Sequence, residues 1–278
     1  MTQNSTFHTH TIFSDGENTV EEMIFCAKNL GFETIGISDH LTVHKNIKQS
    51  PAYNNIKNLA HQTFEEMIEP CKRHAEEIRN TGKKLKIKTM VGYEVDFFTY
   101  SGWKEELENF LKQIDYDYLI SGNHFFMSEN GEDIYDIWRF EELKDQAPED
   151  ITVYLKRHFK TMRQAIETNL FSFLAHIDYA QKTPSYKQSD YQKEIDEILK
   201  ALKETDTGCE ISTKGIRKLG HFYPSESILK KLIEQNTPII ISDDAHATDQ
   251  IGTYFDLAEK TLQKFNCKKR LKLQNLCS

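Results

Sequence analysis

The sequence predicts an α/β fold, a barrel of about seven strand-helix units whose reactive groups gather at one rim. Three observations lead there. Short apolar runs near residues 6, 34, 88, 118, 172, 208 and 239 alternate with stretches of helical periodicity, the order expected of parallel strands joined by crossover helices. Six of those runs lead into histidine or an acid, and the carboxyl ends of strands are where β/α barrels assemble their sites. The 278 residues contain no evident linker, repeat or low-complexity tract, so one domain over residues 1–278 is expected, a size that α/β barrels commonly reach with a single core.

In the opening stretch, Phe7 to Gly16, alternate side chains of an extended segment share a face, so His8 and His10 present two imidazoles together while Thr9 points away. Ser14-Asp15-Gly16 reads as a turn in which Gly16 permits the reversal and Asp15 folds back toward the histidines. Thr19-Val20-Glu21-Glu22 has the capping-box pattern, and Val20, Met23, Ile24 and Ala27 follow at helical spacing up to Gly31. Residues 33–38 read as a strand with His40 just beyond its end. Residues 52–81 read as one helix with a charged outer face, kinked or divided at Pro70, and His61 and His74 fall on it as ordinary polar-face residues.

A strand over 85–93 delivers Glu94 and Asp96, a helix over 101–114 carries Trp103, Leu107, Phe110, Leu111 and Ile114 on one side, and a strand over 117–121 leads to Asn123 and His124. Periodicity is lost between 126 and 150, which reads equally as a cover beside the site or as a surface excursion. Helix 151–169 is followed by strand 171–175, which brings in His176 and Asp178. Helix 189–204 precedes strand 208–211, helix 225–235 precedes strand 238–242 with Asp243, Asp244 and His246 at its end, and a last helix covers 249–265.

Composition narrows the class of protein. With 38% hydrophobic and 28% charged residues the chain is neither disordered nor fibrous. No apolar run approaches the roughly 20 residues needed to cross a bilayer, and the N-terminus lacks the basic and apolar regions of a signal peptide, so a cytoplasmic protein is expected. Five cysteines without a C-x-x-C pair indicate neither a disulfide framework nor a zinc knuckle. A net charge of −8 with no basic stripe argues against a nucleic-acid partner.

His8, His10, Asp15, His40, Glu94, His124, His176, Asp244 and His246 make nine potential metal ligands at successive strand ends, enough for more than one ion. Imidazole and carboxylate without thiolate suit Zn²⁺, Mn²⁺ or Fe²⁺ better than Mg²⁺. Any one of them alone is explained by an ordinary hydrogen bond; their shared position is not.

The order His-Thr-His, Ser-Asp-Gly, Ser-Asp-His, Gly-Tyr-Glu-Val-Asp, Gly-Asn-His, Ala-His-Ile-Asp and Ser-Asp-Asp-Ala-His resembles the polymerase and histidinol phosphatase (PHP) superfamily over nearly the whole chain, and within it the histidinol-phosphate phosphatases. The resemblance implies a distorted (β/α)7 barrel with three divalent ions. His8, His10, Glu94 and Asp244 would hold the first, Glu94 would bridge to a second shared with His124 and His176, and Asp15, His40 and His246 would hold the third. Glu210-Ile211-Ser212-Thr213-Lys214-Gly215-Ile216-Arg217 is similar to the family's Glu-Ile-Asn-Thr-Ser-Gly-x-Arg segment. That makes Arg217, with a guanidinium fork suited to phosphate oxygens, the expected non-metal phosphate ligand, with Lys214 beside it. Ser212 and Lys214 depart from that segment, as Ile177 does from the family's Ala-His-Pro-Asp.

The implied chemistry is in-line attack of metal-activated water on a phosphomonoester, with His246 or Asp243 as candidate proton donors to the leaving alkoxide. The expected substrate is L-histidinol phosphate. Two rival readings are a PHP phosphatase or phosphodiesterase acting on another small phosphoester, and a non-catalytic metal-binding module.

Overall fold

The computed structural model describes residues 3–50, 53–137, 149–183 and 186–273. Its strands are β1 (Ser5–Thr6), β2 (Thr34–Ile37), β3 (His40–Val43), β4 (Ala60–His61), β5 (Lys88–Val95), β6 (Tyr118–Ser121), β7 (Phe125–Met127), β8 (Ile134–Asp136), β9 (Phe173–Leu174), β10 (Gly208–Ser212) and β11 (Ile239–Ser242). The wall of the barrel runs β1-β2-β5-β6-β9-β10-β11, every neighbour parallel, with helices packed outside.

Two apolar layers seal the helices onto this wall. One draws on helices Val20–Asn29, Glu65–Leu85 and Trp103–Leu111, the other on Ile151–Glu167, Gln192–Glu204, Glu226–Glu234 and Phe255–Lys264. The first helix begins as its sequence dictates: the Thr19 hydroxyl accepts from Glu22 N–H while the Glu22 carboxylate accepts from Thr19 N–H.

Inside the barrel, Met90, Tyr118, Ile120, Phe173, Ala175 and Ile240 join Phe7 and Leu273 in a third cluster. Tyr118 lies across this space, its hydroxyl donating to the Phe7 carbonyl at 2.7 Å. A Cβ at Gly92 would stand 2.3 Å from the ring's Cζ, and one at Gly36 would stand 2.2 Å from the hydroxyl. The two glycines therefore make room for the ring that floors the site, and Glu94 rises from the same face of β5 two residues on. Gly92→Ala is expected to lower stability by about 1–3 kcal/mol or more, because the buried ring has nowhere to retreat. A urea midpoint indistinguishable from the parent's would show that the ring can move.

The ends of the wall, β1 and β11, meet without a ladder among the described residues. Thr9 and Ala245 form one parallel bridge, in which His10 N–H donates to the Ala245 carbonyl (2.8 Å) and Ala245 N–H to that of His8 (3.2 Å). Below it the Gln3 side chain takes the place of a strand, donating to the Ile241 carbonyl at 2.7 Å and accepting from its N–H at 3.2 Å. This irregular closure makes the fold a distorted (β/α)7 barrel.

Three expectations need correction. Residues 52–81 are not one helix: Tyr53–Ile56 is a single turn, Ala60–His61 forms β4 beside β3, and the long helix runs Glu65–Leu85. Pairing with β3 overrides local helical preference, so His61 lies on a strand, and the helix continues unbroken through Pro70 in its second turn. His40 lies beyond the end of β2 as expected, but the chain there continues as an unforeseen strand, β3, which His40 opens and which pairs with β5 so that His40 stands opposite Glu94, a residue inside β5. Residues 126–150 begin with an antiparallel hairpin, β7-β8; residues 138–148 of that stretch lie outside the described residues.

Candidate metal centre

The site is built from strand ends. Thr9 turns its hydroxyl to the Gly36 carbonyl at 2.8 Å, which leaves His8 and His10 facing the interior. The Thr9–Ala245 bridge sets these imidazoles opposite Asp244, with His8 Nε2 at 3.7 Å and His10 Nε2 at 3.3 Å from Asp244 Oδ1. At the centre is Glu94. Its Oε2 lies 3.1, 3.4 and 3.2 Å from nitrogens of His8, His10 and His40, and its Oε1 lies 3.3 and 3.0 Å from those of His124 and His176. Asp15 closes the outer side, 3.4 Å from His40 and 3.3 Å from His246. All nine sequence-predicted ligands therefore converge.

Local backbone is bent to achieve this. His176 and Asp244 adopt φ of 22° and 47°, and Asn123, just before His124, adopts 58°. Left-handed conformations at non-glycine residues are costly and persist where the surroundings impose them, here at three strand ends pointing into one site.

The donor groups fit divalent ions. Buried His8 Nε2, His10 Nε2 and Glu94 Oε2 make no hydrogen bond of normal geometry, although buried polar atoms almost always find one. Ligand atoms fall into four overlapping groups, His10-Asp15-His40-His246, His8-His10-Asp244, His8-Glu94-His176 and His40-Glu94-His124. The first contains the trio expected around a third ion, with His10 added. The others divide the remaining ligands less neatly than the expected scheme, since His8 and His40 each touch two groups.

Electrostatics match. Burial, the largest influence, works against charge on Glu94 and Asp244, yet both sit well below the usual carboxylate range because imidazoles, and for Asp244 first Lys214, surround them. Burial likewise opposes charge on His8, but Glu94, Asp244 and Glu210 together hold it well above the ordinary imidazole value. His124 is pushed up to about 10 by Glu94 and Asp96 against its own burial. His10, buried and beside His246 and His40, falls to about 3.

Sequence reasoning gave no role to the residues that hold the candidate ligands. Glu210 Oε2 is 2.8 Å from His8 Nδ1 and accepts from the Ser242 hydroxyl, while Oε1 accepts from His176 N–H. Asp39 accepts from Thr11 N–H, from the Thr11 and Ser14 hydroxyls and from His74 Nε2, fixing the turn that carries Asp15. His74 is therefore a buried positioning residue, stacked on Phe13, and not a polar-face residue. Asp96 grips His124 at its N–H (2.7 Å) and Nδ1 (3.1 Å). Alternation with Ser212 along β10 was the available signal for Glu210; nothing local marked His74. Glu210→Ala should weaken metal affinity about 10–100-fold by freeing His8 to turn, measured by competition with a chromophoric chelator; unchanged affinity would show that packing alone fixes the ring.

Two expected roles are corrected. The Asp243 carboxylate accepts from the Thr6 hydroxyl and Gly252 N–H, both at 2.7 Å, on the side of the chain away from the ligands. It supports the loop and is not placed to donate a proton. Arg217 borders the cleft, but its terminal nitrogens donate to the carbonyls of Asp243 (2.6 Å) and Asp244 (3.2 Å) and to the Thr253 hydroxyl (3.0 Å). In this arrangement it braces the Asp244 main chain instead of presenting an open fork. Lys214 is better placed, its Nζ 2.9 Å from Asp244, and Lys182, absent from the sequence reading, lines the same cleft of about 400 Å³ with His40 and His246. A larger groove of about 510 Å³ on the barrel flank, between Lys45, Glu65 and Glu106, contains none of the nine ligands.

This fold and constellation define an α/β barrel with a candidate metal centre beneath an open polar cleft. The chain matches the PHP domain family over residues 6–214 and belongs to it. It is 25% identical to a probable histidinol-phosphatase of Clostridium acetobutylicum over 271 residues (94% of this chain, 93% of the relative), and 24% identical to one of Thermotoga maritima over 265 residues (93% and 91%). Its fold is similar to the crystal structure of histidinol phosphate phosphatase from Lactococcus lactis subsp. lactis, complexed with zinc, L-histidinol and phosphate. That likeness has a TM-score of 0.70 at 17% identity and covers 96% of this chain and 95% of the other.

Proposed function

We propose that this protein is a metal-dependent phosphomonoesterase that hydrolyses L-histidinol phosphate to L-histidinol and orthophosphate, a step in histidine biosynthesis. The observation that carries the reading is Glu94, one buried carboxylate shared by five imidazoles and open to ions on both oxygens. His8, His10, Glu94 and Asp244 would hold one ion, Glu94, His124 and His176 a second, and Asp15, His40 and His246 a third. The ions supply Lewis acidity and an activated nucleophile at neutral pH.

The chain's own residues do the rest. Glu210, Asp39 and Asp96 keep the ligands in place, and Lys214 and Lys182 bring positive charge to the cleft where a phosphate would enter. Lys214 now screens Asp244; a bound ion would take that carboxylate over and release the ammonium toward phosphate oxygens. A cleft with these lysines beside the ligands favours catalysis over a purely structural metal module.

Steady-state assays on L-histidinol phosphate beside nucleoside monophosphates, phosphotyrosine and a phosphodiester test the reading. A kcat/KM for L-histidinol phosphate about two orders of magnitude above the others is expected. A better rate on another ester would overturn the substrate and leave the phosphomonoesterase standing.

A further inference from the structure

The cleft above the metal centre is lopsided in charge. Lys182 follows β9, and Lys214 and Lys218 follow β10, so two adjacent strand ends bring three lysines to one side. They are close enough to press on one another: burial, then Lys214 and Lys218, lowers Lys182 to about 7. The turn after β1 brings the acids, Asp15 and Glu17, and the β11 loop with His246 stands between the two sides.

Asp15 is committed to His40 and His246. Glu17 is not. Its N–H donates to the His246 carbonyl at 2.7 Å, and the neighbouring Gly16 N–H donates to that of Thr11 at 2.9 Å, so its main chain is pinned against the metal centre. Its side chain is exposed at the cleft, with no hydrogen bond or ion pair among the described residues. A fixed base carrying an uncommitted carboxylate, opposite three lysines, complements a ligand that is anionic at one end and cationic at the other.

We propose that Glu17 selects the alcohol half of the substrate by pairing with the protonated amine of an amino-bearing phosphomonoester while the lysines face its phosphate. The proposal rests on the phosphomonoesterase reading above and names the feature by which L-histidinol phosphate, with an ammonium one carbon from its ester CH₂, would be distinguished from amine-free esters. A like-charged ester, with a carboxylate where the amine stands, would meet repulsion at the same place.

The test compares L-histidinol phosphate with p-nitrophenyl phosphate on the metal-loaded protein, in the parent and in Glu17→Gln and Glu17→Asp. Glu17→Gln is expected to raise KM for L-histidinol phosphate about tenfold while kcat changes little, and to affect p-nitrophenyl phosphate at least about fivefold less. Glu17→Asp should recover part of the discrimination. An unchanged ratio of kcat/KM between the two esters, or an equal loss on both, overturns the role of Glu17 and leaves the phosphatase intact. A parent protein that cleaves p-nitrophenyl phosphate but shows no preference for any amino-bearing ester overturns the role and the histidinol substrate together. One that cleaves no monoester overturns the underlying reading.

Discussion

Glu94→Ala is expected to abolish metal binding at the shared position and to lower kcat/KM by about a thousandfold or more. Both oxygens of this side chain face imidazoles, and it is buried to 1% exposure, so water cannot take its place. Loss of one carboxylate leaves five imidazoles without the negative charge that would let two cations approach each other. If ions contribute several kcal/mol of transition-state stabilisation, each tenfold in rate corresponding to about 1.4 kcal/mol, a loss of that size follows. Metal analysis by mass spectrometry alongside phosphate release checks it. Undiminished phosphate release from metal-poor Glu94→Ala would show that hydrolysis does not depend on this centre.

Chelation is expected to have the second large effect: hydrolysis should stop and the melting temperature should fall by about 10 °C, the shift that follows when ligands at large excess over their dissociation constants are withdrawn. The pH dependence follows from the imidazoles. His124, raised to about 10, and His8, raised well above its ordinary value, keep protons in the metal-free fold that the unfolded chain releases near pH 6.5. Their contribution to the metal-free protein is complete below about pH 6.5 and is lost as pH rises toward about 10. Ion binding must expel those protons, so affinity rises over the same interval. The gap in melting temperature between loaded and stripped protein should therefore widen from pH 6.5 to 9, and a gap that narrows would contradict the protonation states described above.

How far the chain could be read in advance depended on the range of the interactions. The seven wall strands were legible because each is a short apolar run punctuated by turn residues, and the nine candidate ligands because a histidine or acid at a strand end breaks an apolar pattern. What escaped notice was set by contacts distant in sequence. β4 exists only because β3 lies beside it, which no local periodicity reveals. Glu210 and Asp39 stand 202 and 35 residues from His8 and His74, the rings they hold. Arg217 lines the cleft, but the direction of its guanidinium is decided by carbonyls of the β11 loop, which a motif does not encode.

The join between β1 and β11 bears on how the molecule breathes. His8 and His10 lie on one margin of that seam and Asp244 and His246 on the other, stitched among the described residues by one backbone bridge, the Gln3 side chain, the Thr6 hydroxyl on Asp243 and the Glu17 N–H on the His246 carbonyl, with no strand ladder. Ions held between them would act as rivets across the least-sewn line of the wall, so that catalytic loading and mechanical closure become one event. Amide protons of Ala245 and His10 would then exchange slowly in the charged enzyme and quickly in the stripped one, making the seam the place where the barrel first unzips.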